Sequence, residues 1–108
     1  MDDKERIRSL NDLFRQTGSG GQTLITPSVQ ALTDIDQTRL VYLVREFNDF
    51  SADNDPHGEH DFGIVKLHGE SYYWKIDYYD RTLKWGSENP ADPDKTMRVM
   101  TILHSHEY

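Results

Sequence analysis

A chain of 108 residues with a formal net charge of −7 and no cysteine is long enough for one hydrophobic core, but it cannot form a disulfide framework or a thiolate metal site. The charged N-terminus and the lack of an apolar run of about 20 residues argue against a signal peptide and a membrane span. We therefore expect a single domain over residues 1–108 that acts in the cytoplasm and has no contact with a membrane.

The negative charge is concentrated in the second part of the chain. Residues 1–47 contain seven acids and six Lys or Arg side chains, whereas residues 48–108 contain twelve acids and six. This balance disfavours direct binding to nucleic acid, because phosphate contacts need clustered Lys and Arg. A protein partner with a basic surface suits such a field better.

The first predicted element is an amphipathic helix near the N-terminus. Asp2 or Asp3 caps it, and it ends at Thr17, before the glycine-rich turn at residues 18–21. Its apolar stripe consists of Ile7, Leu10, Leu13 and Phe14.

A short strand and a second helix follow. Gln22 to Thr26 is β-prone and stops before Pro27, which indicates an edge strand or an extended segment that leads into the next helix. Thr33 and Asp34 then cap the second amphipathic helix. Its apolar stripe consists of Leu40, Leu43, Val44 and Phe47.

The rest of the chain predicts a long loop and then a sheet. Residues Asn48 to Asp61 are turn formers, and loops of this length in compact domains are often functional. The predicted strands are Phe62 to Leu67, Ser71 to Tyr79, Thr82 to Trp85 and Met97 to Leu103. The fold class is therefore α+β, with two amphipathic helices packed on one face of an antiparallel β-sheet of four to five strands.

The predicted strand Ser71 to Tyr79 has two different faces. One face is apolar and is assigned to the core: Tyr72, Trp74, Ile76 and Tyr78. The other face is polar and aromatic, which is typical of a protein-binding surface, and it contains Tyr73, Lys75, Asp77 and Tyr79. With the acidic loop added, the candidate partner-binding residues are Asp55, Glu59, Asp61, Tyr73, Asp77, Tyr79 and Asp80.

The loop also contains enough carboxylates and imidazoles for a divalent cation. Its first residues resemble an EF-hand loop, but the twelfth position is Ile64, where a bidentate Glu is required. A transition metal bound by Asp55, His57 and His60 would support the alternative function, a metal-dependent hydrolase or nuclease centred on the Asp55–His60 loop. The plainer interpretation is that these side chains stabilise turns, so we expect no cofactor and no functional metal site.

No nucleophile elbow, dinucleotide-binding glycine pattern or cysteine nucleophile is present, so an enzyme is the less favoured class. Longer motifs nevertheless resemble one bacterial family. They are Ile7-Arg8-x-Leu10-Asn11-Asp12-x-Phe14-Arg15, Asn54-Asp55-Pro56-His57-Gly58-Glu59-His60-Asp61-Phe62-Gly63, Trp74-Lys75-Ile76-Asp77-Tyr78-Tyr79-Asp80 and Glu107-Tyr108.

Together these segments are similar to the domain-of-unknown-function family 3768 over nearly the whole chain. Members of that family occur in bacteria, often on plasmids or integrated elements, so the resemblance implies a role in transfer, maintenance, defence or counter-defence. We therefore expect a small acidic protein-binding module, an inhibitor or accessory factor of a mobile element. Its acidic sheet half would occupy a basic surface on a nucleic-acid-handling protein.

Overall fold

Helix α1 (Asp3–Thr17) begins and ends where the sequence predicts. In the computed structural model, which describes residues 1–108, the Asp2 carboxylate accepts a hydrogen bond from the Glu5 backbone N–H at 2.8 Å. The helix stops at Gly18, whose φ of 77° lies in the left-handed region that favours glycine. Leu13 was wrongly assigned to the apolar stripe, because its side chain is 57% exposed.

Two further helices follow strand β1 (Gly21–Ile25). The short helix α2 (Pro27–Gln30) was not predicted; Pro27 occupies its first turn, where the fixed φ of proline suits a helix start. Helix α3 (Asp34–Arg45) is capped by Thr33, as predicted, and it buries Leu40 and Val44 completely. Leu43 and Phe47, the other members of the predicted stripe, are partly buried against the same core.

The remaining strands are β2 (Phe62–Leu67), β3 (Glu70–Tyr79) and β4 (Met97–His104), and a 3₁₀ helix (Ser105–Glu107) follows them. Strands β2 and β3 form a hairpin whose two turn residues, His68 and Gly69, have φ values of 52° and 78°. The order of the strands in the sheet is β1-β4-β3-β2.

The predicted antiparallel sheet was wrong in one respect. Strand β1 pairs parallel with β4, with Gly21 opposite Arg98, so the sheet is mixed. Apolar alternation along a strand is the same for both directions of pairing, and the sequence therefore carries no local signal for this choice.

The predicted strand Thr82 to Trp85 was also wrong, because this segment forms a turn. The Asp80 carboxylate accepts hydrogen bonds from the backbone N–H groups of Thr82 and Lys84, each at 3.2 Å. Leu83 has a φ of 61°, which a strand does not permit. A local side-chain bond thus overrides the β propensity of the segment.

All three helices pack on one face of the sheet. The core contains the predicted buried face of β3, except that Tyr78 is only half-buried. The buried cluster consists of Phe14, Val29, Leu40, Val44, Val65, Leu67, Tyr72, Trp74, Ile76, Met100 and Ile102. None of the helices has the length and apolar composition needed to cross a membrane.

Candidate functional site

Asn11 connects helix α1 with the sheet and with the loop at residues 48–61. Its buried side chain donates to the Tyr78 hydroxyl at 2.8 Å and to the Glu59 backbone carbonyl at 3.0 Å. The Asn11 carbonyl oxygen accepts from Arg98 Nε at 2.7 Å, and the Tyr78 hydroxyl donates to Glu59 Oε1 at 2.7 Å. An unbroken hydrogen-bonded chain, the Asn11 network, therefore runs from Arg98 through Asn11 and Tyr78 to Glu59.

Tyr78 remains a hydrogen-bond donor throughout the physiological pH range. Burial, together with the hydrogen bond to Glu59, raises the pKa of its phenol far above the ordinary value. The Glu59 carboxylate is consequently held inside the molecule by a neutral donor, which leaves it less available to a partner.

The loop is also anchored at His60. The His60 imidazole lies with Nδ1 at 2.9 Å from Asp12 Oδ1, and Arg15 donates to the same oxygen at 3.0 Å. The imidazole stacks on the Phe50 ring with a centroid separation of 3.7 Å. Asp55 Oδ1 accepts from the backbone N–H groups of Glu59 and His60 at 3.1 and 3.2 Å. The polar groups of the loop thus hold the loop together and fix it to helix α1.

The candidate metal ligands Asp55, His57 and His60 do not converge. Asp55 and His60 approach each other, with Oδ2 and Nε2 3.7 Å apart, whereas His57 is exposed. No group of three or more His, Asp or Glu side chains in the molecule is placed so that it could hold a metal ion. The hydrolase or nuclease alternative stays a prediction, and the loop geometry adds nothing in its favour.

The candidate partner-binding residues fall into two groups on different sides of the sheet. Glu59 contacts Asn11 of α1, and Asp55 contacts Glu59 and His60 within the loop. Asp61 lies beside them, where burial and the charge of Glu59 raise its pKa. Tyr73, Asp77 and Tyr79 alternate along β3 on the opposite side. Asp80 closes the turn that follows β3. The structure therefore does not bring the loop acids and the strand tyrosines together into one surface.

The side of the sheet opposite the helices, which we call the helix-free face, is rich in apolar groups. Four of its large side chains are exposed by a third or more: Leu24 53%, Ile64 47%, Tyr79 36% and Tyr108 74%. Its other side chains include Phe62, Tyr73, Lys75 and Asp77. The Tyr73 ring lies 5.5 Å from Phe62 and 5.1 Å from Tyr108, centroid to centroid, which forms an aromatic cluster.

The strands place three charged side chains on the helix-free face, Lys66, Lys75 and Asp77. The acidic residues of the second half are concentrated in the loop. Residues 48–61 contain five acids and no Lys or Arg, whereas residues 62–108 contain seven acids and six. On the face itself Lys75 Nζ donates to Asp77 Oδ2 at 2.8 Å, and this hydrogen bond raises the pKa of Lys75. The acidic excess of the second half thus belongs to the loop and not to the strands.

Sequence reasoning missed two features of the site. The polar Asn11 lies between Ile7 and Phe14 on the buried stripe of α1, and a polar residue in that position is the signal that could have revealed the Asn11 network. The turn after β3 presents Trp85, which is 73% exposed. Asp80 followed by Thr82 is the pattern of a side-chain-closed turn and could have replaced the predicted strand.

Comparison with known proteins gives one match. The family model described as protein of unknown function (DUF3768) matches residues 25–107. Neither the comparison with curated proteins nor that with solved structures found a match. Helix α1 precedes the matched range, yet it supplies Asn11, Phe14 and Arg15 to the interior.

Proposed function

We propose that this chain, which belongs to the DUF3768 family of proteins of unknown function, is a protein-binding module that docks its helix-free face on a partner with a basic surface. One observation carries the proposal: large apolar side chains remain exposed on a sheet face that no helix of the chain covers. The exposed Ile64 lies opposite Tyr73, which packs against Phe62 and Tyr108, so this part of the face is contiguous. Contiguous exposed apolar patches on small proteins mark interaction sites.

The composition of the helix-free face suits a protein partner. Tyr73, Tyr79 and Tyr108 offer large contact areas that lose little side-chain entropy on binding. The Lys75–Asp77 pair supplies polar groups among them. The net charge of −7 opposes the approach of a phosphate backbone and attracts a basic protein at long range, although the helix-free face itself carries no acidic excess.

A nucleic-acid-handling protein is the partner whose chemistry fits best, because such a protein carries basic side chains for phosphate. We extend the proposal to the biological setting that the family resemblance implies. The chain acts in the bacterial cytoplasm as an inhibitor or accessory factor encoded on a mobile element.

Two isoleucine substitutions with the same chemistry test the docking surface. Ile64 is 47% exposed on the helix-free face, and Ile35 is 66% exposed on helix α3. Affinity purification from a bacterial host followed by mass spectrometry should identify the same partner for the parent chain and for the Ile35→Glu variant. The Ile64→Glu variant should bind that purified partner at least about tenfold more weakly, a loss of about 1.4 kcal/mol.

Ionic strength gives a second measurement on the same complex. Association should slow between about 0.01 and 0.15 M salt, because the Debye length falls from about 30 Å to about 8 Å. Equal affinity of the Ile64→Glu and Ile35→Glu variants would overturn the proposal. So would a parent chain that purifies only as its own dimer and becomes monomeric in the Ile64→Glu variant.

A further inference from the structure

A cleft of about 480 Å³ lies between helix α1, the glycine-rich turn and the start of β4. Leu10 and Leu13 of α1 and Met97 of β4 give it apolar walls, and residues 19–22 also line it. Its size falls within the range of small-molecule sites in proteins. No residue of the loop at residues 48–61 lines this cleft.

The charge of the cleft is opposite to that of the whole chain. Arg81 and Arg98 line it, and no acidic side chain does. In a protein with a net charge of −7, a cleft lined by two arginines and by no acidic residue is a local exception. Such a site concentrates anions even when the overall field repels them.

Arg98 is a buried charge without a charged partner. It is 3% exposed and forms no salt bridge; Nε donates to Asn11 Oδ1 and Nη2 to the Pro90 carbonyl, both at 2.7 Å. Its guanidinium lies 5.2 Å over the Tyr78 ring. The third nitrogen, Nη1, has no hydrogen-bond partner in the protein. Burial lowers the pKa of Arg98, and the charges of Tyr78 and Glu59 offset this only in part.

Arg81 lies on the same cleft and is exposed, with one hydrogen bond from Nη1 to the Thr96 carbonyl at 3.3 Å. That long bond leaves most of its donors free. A buried and an exposed guanidinium on one cleft can contact a single oxyanion, since each offers parallel N–H groups to a phosphate or carboxylate.

We propose that this cleft binds a small organic anion, whose phosphate or carboxylate group pairs with Arg98 and Arg81 and whose apolar body contacts Leu10, Leu13 and Met97. The anion supplies the counter-charge that Arg98 lacks. The apolar wall explains why an exposed leucine stands at position 13 on an otherwise polar side of α1.

The experiment is a titration of the ¹⁵N-labelled chain followed by NMR, with four separate probes: phenyl phosphate, benzoate, inorganic phosphate and neutral benzamide. Phenyl phosphate and benzoate should cause saturable shifts of the Ser19–Gln22 amides and of Arg98 Nε, and the tighter of the two identifies the preferred oxyanion. Inorganic phosphate should bind more weakly, and benzamide should not bind. The absence of any saturable shift at millimolar probe, or binding of benzamide as tight as that of benzoate, would overturn the proposal.

Variants assign the effect to the cleft. Arg98→Gln is not a suitable test, because it also removes part of the Asn11 network. Arg81 is exposed, and Arg81→Gln should weaken binding of the tighter probe at least about tenfold, because a charge-assisted hydrogen bond is lost. Lys84→Gln is the matched control, since it removes the same charge three positions away and does not line the cleft. Equal affinity of the Arg81→Gln and Lys84→Gln variants would show that only the overall charge matters and would also overturn the proposal.

Discussion

The loop at residues 48–61 and the helix-free face of the sheet use their side chains in opposite ways. The loop contains five acids and no Lys or Arg, yet Asp55 and Glu59 direct their carboxylates to donors within the molecule. The helix-free face is almost neutral, yet it exposes Ile64 and Tyr79 to solvent. Charge counted along a sequence is therefore not the same as charge available to a partner.

The comparison also explains how a long segment without helix or strand keeps one structure. Asp55 holds the centre of the loop to the Glu59 backbone N–H within the loop itself. At its end the loop is fixed to Asp12 of α1 by His60 and to Tyr78 of β3 by Glu59. Asp55, Glu59 and His60 each gain a partner, which offsets the cost of removing these side chains from water. The helix-free face needs no such bonds, because the strands beneath it already satisfy its backbone.

Of the substitutions considered, the one that removes the centre of the Asn11 network should lower the stability of the protein most. Asn11→Ala leaves Arg98 Nε, the Tyr78 hydroxyl and the Glu59 carbonyl without a shared partner, so the free energy of unfolding should fall by at least about 3 kcal/mol. Urea unfolding measures it. Gln16→Ala, an exposed change on the same helix, should stay within about 0.5 kcal/mol of the parent. A loss below about 1 kcal/mol for Asn11→Ala would mean that the loop does not depend on this network.

A smaller loss of stability should distinguish an acid of the loop that bonds within the molecule from one that is exposed to solvent. Asp55→Ala removes the acceptor for two backbone N–H groups and should cost about 1–2 kcal/mol, with faster hydrogen exchange at the amides of Glu59 and His60. Asp53→Ala, an exposed acid two positions earlier, should change neither quantity. If both variants unfold at the same denaturant concentration as the parent, the Asp55 carboxylate is free and the comparison fails.

The smallest expected change in stability is at Glu107, whose carboxylate fixes residues 104–108 beside the helix-free face. Its carboxylate accepts from Thr26 Oγ1 at 2.6 Å, from His104 N at 2.7 Å and from Ser28 N at 3.1 Å. These hydrogen bonds, that from Thr26 above all, lower the pKa of Glu107 from 4.5 to about 2. A carboxylate with a depressed folded pKa contributes stability above its ordinary pKa and loses it as the pH falls toward the folded value.

Glu107→Gln should therefore flatten the dependence of thermal stability on pH between 4.5 and about 2. Melting curves recorded at a series of pH values measure this dependence. Glu88→Gln, at an exposed glutamate, serves as the control and should leave the profile unchanged. Parallel profiles for the parent and the Glu107→Gln variant would show that the chain end is not held by this carboxylate.

Local signals in the sequence were sufficient for much of the fold. Asp2 and Gly18 set the ends of α1, Thr33 starts α3, and the turn at His68 and Gly69 joins β2 to β3. In each case the deciding hydrogen bond or backbone angle lies within a few residues. The parallel pairing of β1 with β4 depends instead on tertiary packing, which no local pattern reports.

The site was harder to predict because its contacts join distant segments. Tyr73, Asp77 and Tyr79 were assigned to the open side of β3 from alternation alone, and they lie on the helix-free face. The partners of Asn11 come from the loop, from β3 and from β4, and the bonds among them appear only once those elements are packed. For the same reason the sequence did not show that Asp55 faces inward.

The order of strands in the sheet has a consequence for how the chain folds as it is made. Strand β4 lies between β1 and β3, yet it is the last strand to be synthesised. The β2–β3 hairpin can form early because its pairing is local, whereas β1 must wait for residues 97–104 to leave the ribosome. During that interval the apolar stripes of α1 and α3 have no complete sheet to cover, so apolar surface stays exposed for longer than in a fold whose strand pairing is local.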